Sequence, residues 1–215
     1  SVNSMHDSQT PLSGMLQMLN MQINCWFGGV GVGWMNYFAF LIIAVFISGL
    51  MVGRTPEFLG HKVEAREMKI ATLVVLLHPF LILVGTGISA AVAAANPEIG
   101  WLNNPSFHGL SEMLYEYTSS AANNGSGFEG LADNTPFWNI MTGIALIMGR
   151  YFPIVGQVAI AGLLASKKCI PESAGTLRTD TGTFSLMTFA VIIIVAALSF
   201  FPALALGPIA DYLTF

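Results

Sequence analysis

Four segments of the chain are apolar over a length that can cross a membrane, and this feature constrains the fold more than any other. They cover about residues 37–52, 70–95, 137–165 and 184–206. A membrane-spanning helix needs about 20 mostly apolar residues, which the first segment reaches only if residues 34–38 belong to it. Only 9% of the residues are charged, whereas a soluble domain carries about a quarter. We therefore expect an all-α integral membrane protein.

The positive charges predict how these segments are oriented. Of the eight Lys and Arg residues, all but one lie in two segments, 54–69 and 167–183. Cytoplasmic loops of membrane proteins collect Lys and Arg, so both segments are predicted to be cytoplasmic. The remaining cation, Arg150, lies inside the third apolar segment. No block of basic residues indicates binding to nucleic acid, and the lipid bilayer is the expected environment.

Two further segments have helical periodicity but are too short or too polar to span a membrane. They cover residues 11–26 and 107–122, and each precedes a Gly-rich or Asn-rich loop and then a long apolar segment. This order is typical of a re-entrant pore loop, because irregular backbone at membrane depth must be buried in protein or face a water-filled path. No Lys or Arg lies near either segment, so both are predicted to enter from outside, with C-terminal dipole ends that favour a cation.

The loops after these short helices are candidate ion-binding sites. The candidate residues are Gly28, Gly29, Val30 and Gly31 in the first loop and Asn123, Asn124, Gly125 and Ser126 in the second. Glycine allows backbone carbonyls to turn toward one axis, and such carbonyls replace the hydration shell of potassium in selectivity filters. The alternatives are a flexible linker or a helix-packing patch for the first loop and an ordinary turn for the second. The short helix before each loop favours a filter.

The order of short helix, loop and span occurs twice, at about 11–53 and 107–165, but an apolar segment precedes only the second copy. Internal repeats are common in transporter folds, so we expect the chain to be part of a longer protein. The expected organisation is a pore helix, filter strand and second span at 1–53, a cytoplasmic loop at 54–69, a complete repeat at 70–166, a cytoplasmic loop at 167–183 and a C-terminal transmembrane helix at 184–215.

Several motifs carry a family resemblance that covers the whole chain. They are MHDSQTPLSG near the start, FGGVG in the first loop, GLMVGRTPE followed by EAREMK, and NNGSGFEGL in the second loop. Together they resemble the potassium-binding subunit of the Kdp-type potassium-transporting ATPases (KdpA), in the superfamily of potassium transporters. That family has four pore-loop repeats with pseudo-fourfold, potassium-channel-like architecture. This chain is similar to the third and fourth repeats and the final helix only.

The resemblance implies a role for each candidate residue. The third filter strand of the family is matched by Gly28, Gly29, Val30 and Gly31, and the fourth is matched by Asn123, Asn124, Gly125 and Ser126. The two strands together are half of a potassium filter. Val32 stands where the family often has a small residue and is expected to point off the axis. Arg150 is implied to oppose ion leak below the filter. The alternative for Arg150 is structural pairing with a carbonyl or an acid, because an unpaired cation in a span costs at least about 2.5 kcal/mol.

As a whole, the resemblance implies a multi-pass subunit of a bacterial or archaeal cell membrane that binds and translocates potassium. Potassium is the one ion expected, and the subunit is expected to have no catalytic site. ATP hydrolysis would belong to a catalytic P-type ATPase partner, with small accessory subunits in the same complex. Segment 54–69 is either a coupling surface toward that partner or a solvated loop with helical pairs such as Glu64 with Lys69.

Two other functions remain as alternatives from the sequence. The first is a Trk- or Ktr-type potassium channel subunit, against which the GLMVGRTPE and EAREMK motifs argue. The second, which is less favoured, is an intramembrane enzyme that uses His78 or the pair His6 and Asp7. We assign no catalysis to these histidines or to His108, and we expect Asp7 or Ser8 to cap the first short helix.

Overall fold

The computed structural model describes residues 4–23, 31–171, 176 and 178–214, and most of these are helical. Four helices are long and apolar enough to cross a membrane: α2 (Val32–Val52), α3 (Ala65–Ala95), α5 (Pro136–Ala165) and α6 (Gly182–Leu204). They coincide with the four predicted segments, so the all-α membrane fold is confirmed. Helix α6 continues through a π-helical turn into a short helix, α7 (Ala210–Leu213).

The two short helices are also present. They are α1 (Pro11–Ile23) and α4 (Phe107–Ala122), and the predicted continuation of the first to Trp26 lies outside the described residues. Helix α4 packs against α1 and against the π-helical turn. It is buried along most of its length even though it carries Glu112, Thr118 and Ser119. Buried polar side chains on a short helix require specific partners, and these partners are described below.

By residue contacts the chain forms two compact units, and the first consists of Ser1–Asn24, His78–Tyr151 and Ala196–Phe215. Its core is aromatic. The Trp101 ring stacks on Phe137 with 4.7 Å between centroids and meets the edge of Trp138 at 5.4 Å. Met113 and Tyr117 of α4 join the same cluster. This packing holds the start of α5 against the middle of α4.

The second unit consists of Cys25–Leu77 and Phe152–Val195. Its core is aliphatic and combines side chains of α2, α3, α5 and α6, including Ile42, Val45, Ala71, Ile160 and Val191. One polar contact joins two of these helices, because the amide of Gln157 donates to Asn36 Oδ1 at 3.1 Å.

A small hairpin lies in the second unit, in the segment that the sequence leaves open between a coupling surface and a solvated loop with helical charge pairs. Strands β1 (Glu57–Phe58) and β2 (His61–Lys62) are antiparallel. The two turn residues, Leu59 and Gly60, have φ values of 50° and 75°, as the favoured two-residue hairpin turns require. The Gly60 carbonyl accepts the N–H of Ile170 at 2.8 Å. The hairpin therefore packs on the segment that follows α5.

Ion pairs connect the same two segments. Lys167 contacts Glu64 at 3.1 Å and the fully buried Glu67 at 2.9 Å, and Lys62 contacts Glu64 at 3.5 Å. The hydrogen bond from Lys167 lowers the pKa of the Glu64 carboxyl. The predicted pair of Glu64 with Lys69 is therefore wrong. Glu64 precedes α3, and cations of the hairpin and of the later segment contact its carboxylate instead.

The predicted capping role of Asp7 or Ser8 is also wrong. Both lie in a 3₁₀ turn, His6–Ser8, ahead of α1. Asp7 Oδ2 accepts the N–H of Gly130 at 2.8 Å, and the Ser8 hydroxyl donates to the Met5 carbonyl at 2.8 Å. The loop after α4 competes successfully for the Asp7 carboxylate, and the short-range sequence pattern does not show this.

Candidate ion-binding site

The second loop begins with a tight reversal at the end of α4. Asn123 has left-handed backbone geometry with φ of 60°. Its N–H donates to the Ser120 carbonyl at 3.0 Å, and the N–H of Asn124 donates to the Ser119 carbonyl at 2.9 Å. This pair of bonds is the Schellman ending of a helix. Gly125 follows with φ of 76°, a conformation that side chains disfavour.

Residues 123–126 form the second loop. The Schellman ending of α4 orients the peptide groups of this loop. The N–H of Ser126 donates to the Ser119 hydroxyl at 2.9 Å, so three of the four loop amides point toward α4. Among the residues that the structure describes, none donates a hydrogen bond to the carbonyls of Asn123, Asn124 or Gly125. Asn124 and Gly125 are exposed. The loop therefore presents free carbonyl oxygens, the ligands that potassium filters use.

A hydrogen-bond network lies behind the loop and fixes its amide side. The Ser126 hydroxyl lies 3.1 Å from the Ser119 hydroxyl and 3.1 Å from the Tyr115 hydroxyl. Tyr115 in turn contacts His6 Nδ1 at 2.7 Å, and its ring stacks on Phe128 with 4.3 Å between centroids. Ser119 and Tyr115 are each only 1% exposed. Their burial limits the orientations that Ser126 can take.

Helix α5 supports the loop from another direction. The Asn123 side-chain amide donates to the Leu146 carbonyl of α5 at 3.1 Å. Three residues later, Gly149 lies so close to the end of α4 that a Cβ atom there would overlap the Ala121 carbonyl. A glycine at this position therefore permits α5 to cross the end of α4.

Arg150 is the next residue of α5 and lies at the same level as the end of α4. It is half-buried. Within the described residues its guanidinium makes no hydrogen bond or ion pair. The structure thus places a free positive charge one residue after the contact between α5 and α4.

Glu116 adds a titratable group near the second loop. Its Oε1 accepts a hydrogen bond from the Ser120 hydroxyl at 3.3 Å. Its Oε2 would lie 3.0 Å from a Cβ atom at Gly127, the residue after the loop. Burial, together with the negative charge of Asp133, raises the pKa of Glu116 to about 7. Its charge therefore changes near neutral pH.

The first loop is described at its last residue only, since Gly28, Gly29 and Val30 lie outside the described residues. Gly31 precedes α2 with right-handed helical geometry, and its carbonyl accepts the N–H of Met35 at 3.1 Å. A Cβ atom at Gly31 would meet no atom within 4 Å. Val32 is the first residue of α2 and is half-buried. The filter roles of the first loop stay predictions.

Comparison with known proteins identifies the family. The family model described as "KdpA: Potassium-transporting ATPase A subunit" matches residues 1–213. The chain belongs to the KdpA family. Similar proteins named "Potassium-transporting ATPase potassium-binding subunit" occur in Phocaeicola vulgatus (76% identity), Bacteroides fragilis (74%) and Geobacillus kaustophilus (54%), each aligned over 100% of this chain.

This KdpA-family chain corresponds to only part of those relatives. It spans 39% of the length of the Phocaeicola vulgatus and Bacteroides fragilis proteins and 38% of the Geobacillus kaustophilus protein. The bacterial relatives and the four span-capable helices assign it to the multi-pass proteins of the bacterial inner membrane. The suspected resemblance is confirmed, since this is the family that the motifs indicate.

The sequence analysis does not predict the hydrogen-bond network behind the second loop. Tyr115 and Ser119 are four residues apart, so helical periodicity places them on one face of α4, and this signal could have been used. His6 is separated from Tyr115 by 109 positions, and no local pattern connects them. Once the family is known, the structure adds which groups hold the loop in place.

Proposed function

We propose that this chain is a potassium-binding and translocating part of a potassium-transporting ATPase complex, and that the second loop is one strand of its filter. The carbonyls of Asn123, Asn124 and Gly125 are the proposed ligands, with the Ser126 hydroxyl held beside them. The observation that supports this most is the orientation of the loop, in which three of the four amides bond to α4 and the three carbonyls have no donor among the described residues. The choice of potassium as the ion is based on the names of the relatives, which are called potassium-binding subunits.

The first loop supplies the matching strand in this proposal. Gly28, Gly29, Val30 and Gly31 would contribute carbonyls to the same potassium site, and α1 and α4 would be the two pore helices. Two strands of this kind are half of a fourfold filter. The remaining strands would come from the part of the relatives that this chain does not span.

We further propose that energy coupling depends on a partner. ATP hydrolysis is assigned to a catalytic P-type ATPase subunit, with small accessory subunits in the complex. The hairpin at residues 57–62, held by Lys167 and Ile170, is the proposed coupling surface toward that subunit. A Trk- or Ktr-type channel subunit stays the alternative, and its regulatory partner would be cytosolic rather than an ATPase.

An intramembrane enzyme has less support. His6 contacts the Tyr115 hydroxyl behind the loop, and the ring of His78 packs against the edge of Phe200 with 6.2 Å between centroids. These contacts are the ordinary ones of structural histidines. We therefore propose an ion-conducting subunit without catalytic chemistry of its own.

A glycine substitution in the second loop tests the proposal in the full-length subunit and its assembled complex. Gly125→Ala adds a methyl group where no atom lies within 4 Å, but the left-handed backbone (φ of 76°) disfavours it. The effect would therefore come from reorientation of the carbonyls and not from a clash. We expect potassium affinity to fall at least tenfold and discrimination against sodium to weaken, measured by ion-stimulated ATP hydrolysis and by ion binding.

Gly87→Ala is the matched control. Gly87 lies in α3, where an added Cβ also meets no atom within 4 Å and the helical backbone accepts alanine. Potassium binding should be unchanged in this variant. Wild-type affinity and selectivity in a correctly assembled Gly125→Ala complex would contradict the filter assignment.

A further inference from the structure

A second cluster of charged groups lies at the start of α4 and is not used by the proposed filter. It contains Asp7 of the turn before α1 and His108 and Glu112 of α4. One potential ligand atom from each of these side chains lies within 4.8 Å of the other two. Asp211 of α7 contacts the far side of the imidazole. Three carboxyl groups thus surround one histidine.

Both ring nitrogens of His108 face carboxylates. Its Nδ1 lies 2.7 Å from Asp211 Oδ2, and its Nε2 lies 2.6 Å from Asp7 Oδ1. Metal-bound histidines almost always donate the second ring N–H to a carboxylate or carbonyl, which fixes the tautomer and the direction of the free nitrogen. Asp211 is placed to accept that N–H, and Nε2 then faces Asp7.

The burial of the Glu112 carboxylate also points to a ligand. The residue is fully buried, with 0% exposure. Its Oε1 accepts a hydrogen bond from the Asn104 side chain at 3.0 Å, whereas its Oε2 has no hydrogen-bond partner among the described residues. A buried carboxylate oxygen without a donor is unfavourable, and a cation bound by the Glu112 carboxylate would offset that cost.

Gly130 leaves the space that such a site needs. A Cβ atom at Gly130 would overlap both the Glu112 carboxylate and Asp7 Oδ2. The backbone N–H of Gly130 instead donates to Asp7 Oδ2 at 2.8 Å, so that Oδ1 faces His108. An open cavity of about 650 Å³ reaches one side of the cluster, because Asp7, His108 and Asp211 line it, whereas Glu112 lies behind them and does not.

We propose that Asp7, His108 and Glu112 form a binding site for a divalent transition-metal ion of the zinc type, with Asp211 as the residue that orients His108. Two carboxylates and one imidazole are a donor set that such ions accept, with one position open to water. Without the ion, the 2.6 Å contact of His108 Nε2 with Asp7 Oδ1 requires a proton on one of the two atoms, and binding of the ion would release that proton to solvent. Ligand atoms lie about 2.0–2.2 Å from zinc, so the 2.6 Å contact between His108 Nε2 and Asp7 Oδ1 must widen when the ion enters.

The bound ion would join three separate segments of the first unit. It would connect the turn before α1, the start of α4 and, through His108, the short helix α7. His6 in the same turn contacts Tyr115 behind the second loop. The site therefore lies where it can stabilise the loop without contacting it. It is an addition to the proposed function and does not depend on it, since metal binding is measured without potassium.

The test titrates the chelator-treated, full-length subunit in its assembled complex with Zn²⁺ in competition with a chromogenic chelator. We expect one high-affinity ion per subunit. Glu112→Gln and His108→Gln should each weaken binding at least tenfold, and Asp211→Asn should weaken it about 10–100-fold, as loss of such an orienting partner does. Glu98→Gln and His61→Gln are matched controls outside the cluster and should bind as the wild type does.

Two results would overturn this inference. One is the absence of stoichiometric binding to the wild-type complex, and the other is unchanged affinity in Glu112→Gln and His108→Gln. Because a variant can fail to assemble, the wild type is also loaded with Co²⁺. A visible spectrum of four- or five-coordinate cobalt supports the site, whereas the spectrum of the hexahydrated ion contradicts it.

Discussion

Ser119 determines which way the second loop faces. Its carbonyl accepts the N–H of Asn124, and its hydroxyl accepts the N–H of Ser126. One residue at the end of α4 thereby holds two amides away from the proposed ion. The orientation of the Asn123 and Gly125 carbonyls follows from this, because the N–H of a residue and the carbonyl of the preceding residue point in opposite directions across the planar peptide.

Removal of the Ser119 hydroxyl should therefore weaken both the fold of the loop and its ion binding. Ser119→Ala leaves the half-buried Ser126 N–H without its acceptor, and the loss of such a hydrogen bond costs about 1 kcal/mol. We expect a lower melting temperature of the full-length complex and a weaker potassium affinity. Ser111→Ala is the control, because the Ser111 hydroxyl donates to the Phe107 carbonyl of the same helix at 3.2 Å and contacts neither the loop nor Glu116. Equal losses in the two variants would argue against a special role for Ser119.

Glu116 should make potassium binding depend on pH. Its pKa is raised to about 7 by burial and by Asp133, so the carboxyl is mostly neutral below that pH and charged above it. A negative charge near the loop attracts a cation. We expect potassium affinity to increase as the pH rises through about 7, which ion-binding titrations at several pH values would measure.

Two variants separate Glu116 from other titrating groups. Glu116→Gln should bind potassium at all these pH values as the wild type does at low pH. Glu98→Gln changes an exposed glutamate in the turn before α4 and should keep the wild-type pH dependence. A pH dependence that persists in Glu116→Gln would show that another group is responsible.

The helices differ in how far the sequence determines them. The four spans and both short helices follow from hydropathy and helical period, since a long apolar segment in a membrane has few alternatives to a helix. The hairpin at residues 57–62 does not, because its turn requires left-handed geometry at Leu59 (φ of 50°), a residue type that gives no such signal. The partner of Glu64 was missed because Lys167 lies 103 positions away in sequence and the i, i+4 rule considers one helix only.

In the candidate site, too, some features can be predicted from the sequence and others cannot. The residues of the second loop could be chosen from their order after a short helix and from the family motif. The groups that hold it, and the cluster around His108, could not. His108 contacts Asp7 and Asp211 across 101 and 103 positions of sequence. Such contacts exist only after α1, α4 and α7 have packed.

The crossing of α5 over the end of α4 depends on Gly149. An alanine there would place its Cβ against the Ala121 carbonyl, and backbone cannot move aside as a flexible side chain can. We expect Gly149→Ala to destabilise the full-length complex by about 1–3 kcal/mol and to lower its melting temperature. Gly143→Ala in the same helix meets no atom within 4 Å and should not destabilise the complex. A tolerated Gly149→Ala would show that the two helices can separate at this point.

For the whole transporter, the free charge of Arg150 should limit passive ion flow. It follows the contact between α5 and α4 and makes no ion pair within the described part of the chain. We expect Arg150→Gln to increase ATP-independent potassium flux into proteoliposomes several-fold, because the positive charge that repels cations is lost.

Arg150→Lys keeps the charge and should retain most of the barrier. The comparison of the two variants therefore separates charge from side-chain shape. Equal leak in Arg150→Gln and in the wild type would assign this arginine a structural role instead.

In this proposal the carbonyls of the second loop bind the transported ion. Anomalous scattering of Tl⁺, a substitute for K⁺, in crystals of the full-length complex tests this directly. We expect a thallium peak in direct contact with carbonyl oxygens of Asn123, Asn124 or Gly125, and its loss when excess K⁺ is added. Thallium bound elsewhere in the complex, with these carbonyls hydrogen-bonded to protein and no peak beside them, would contradict it.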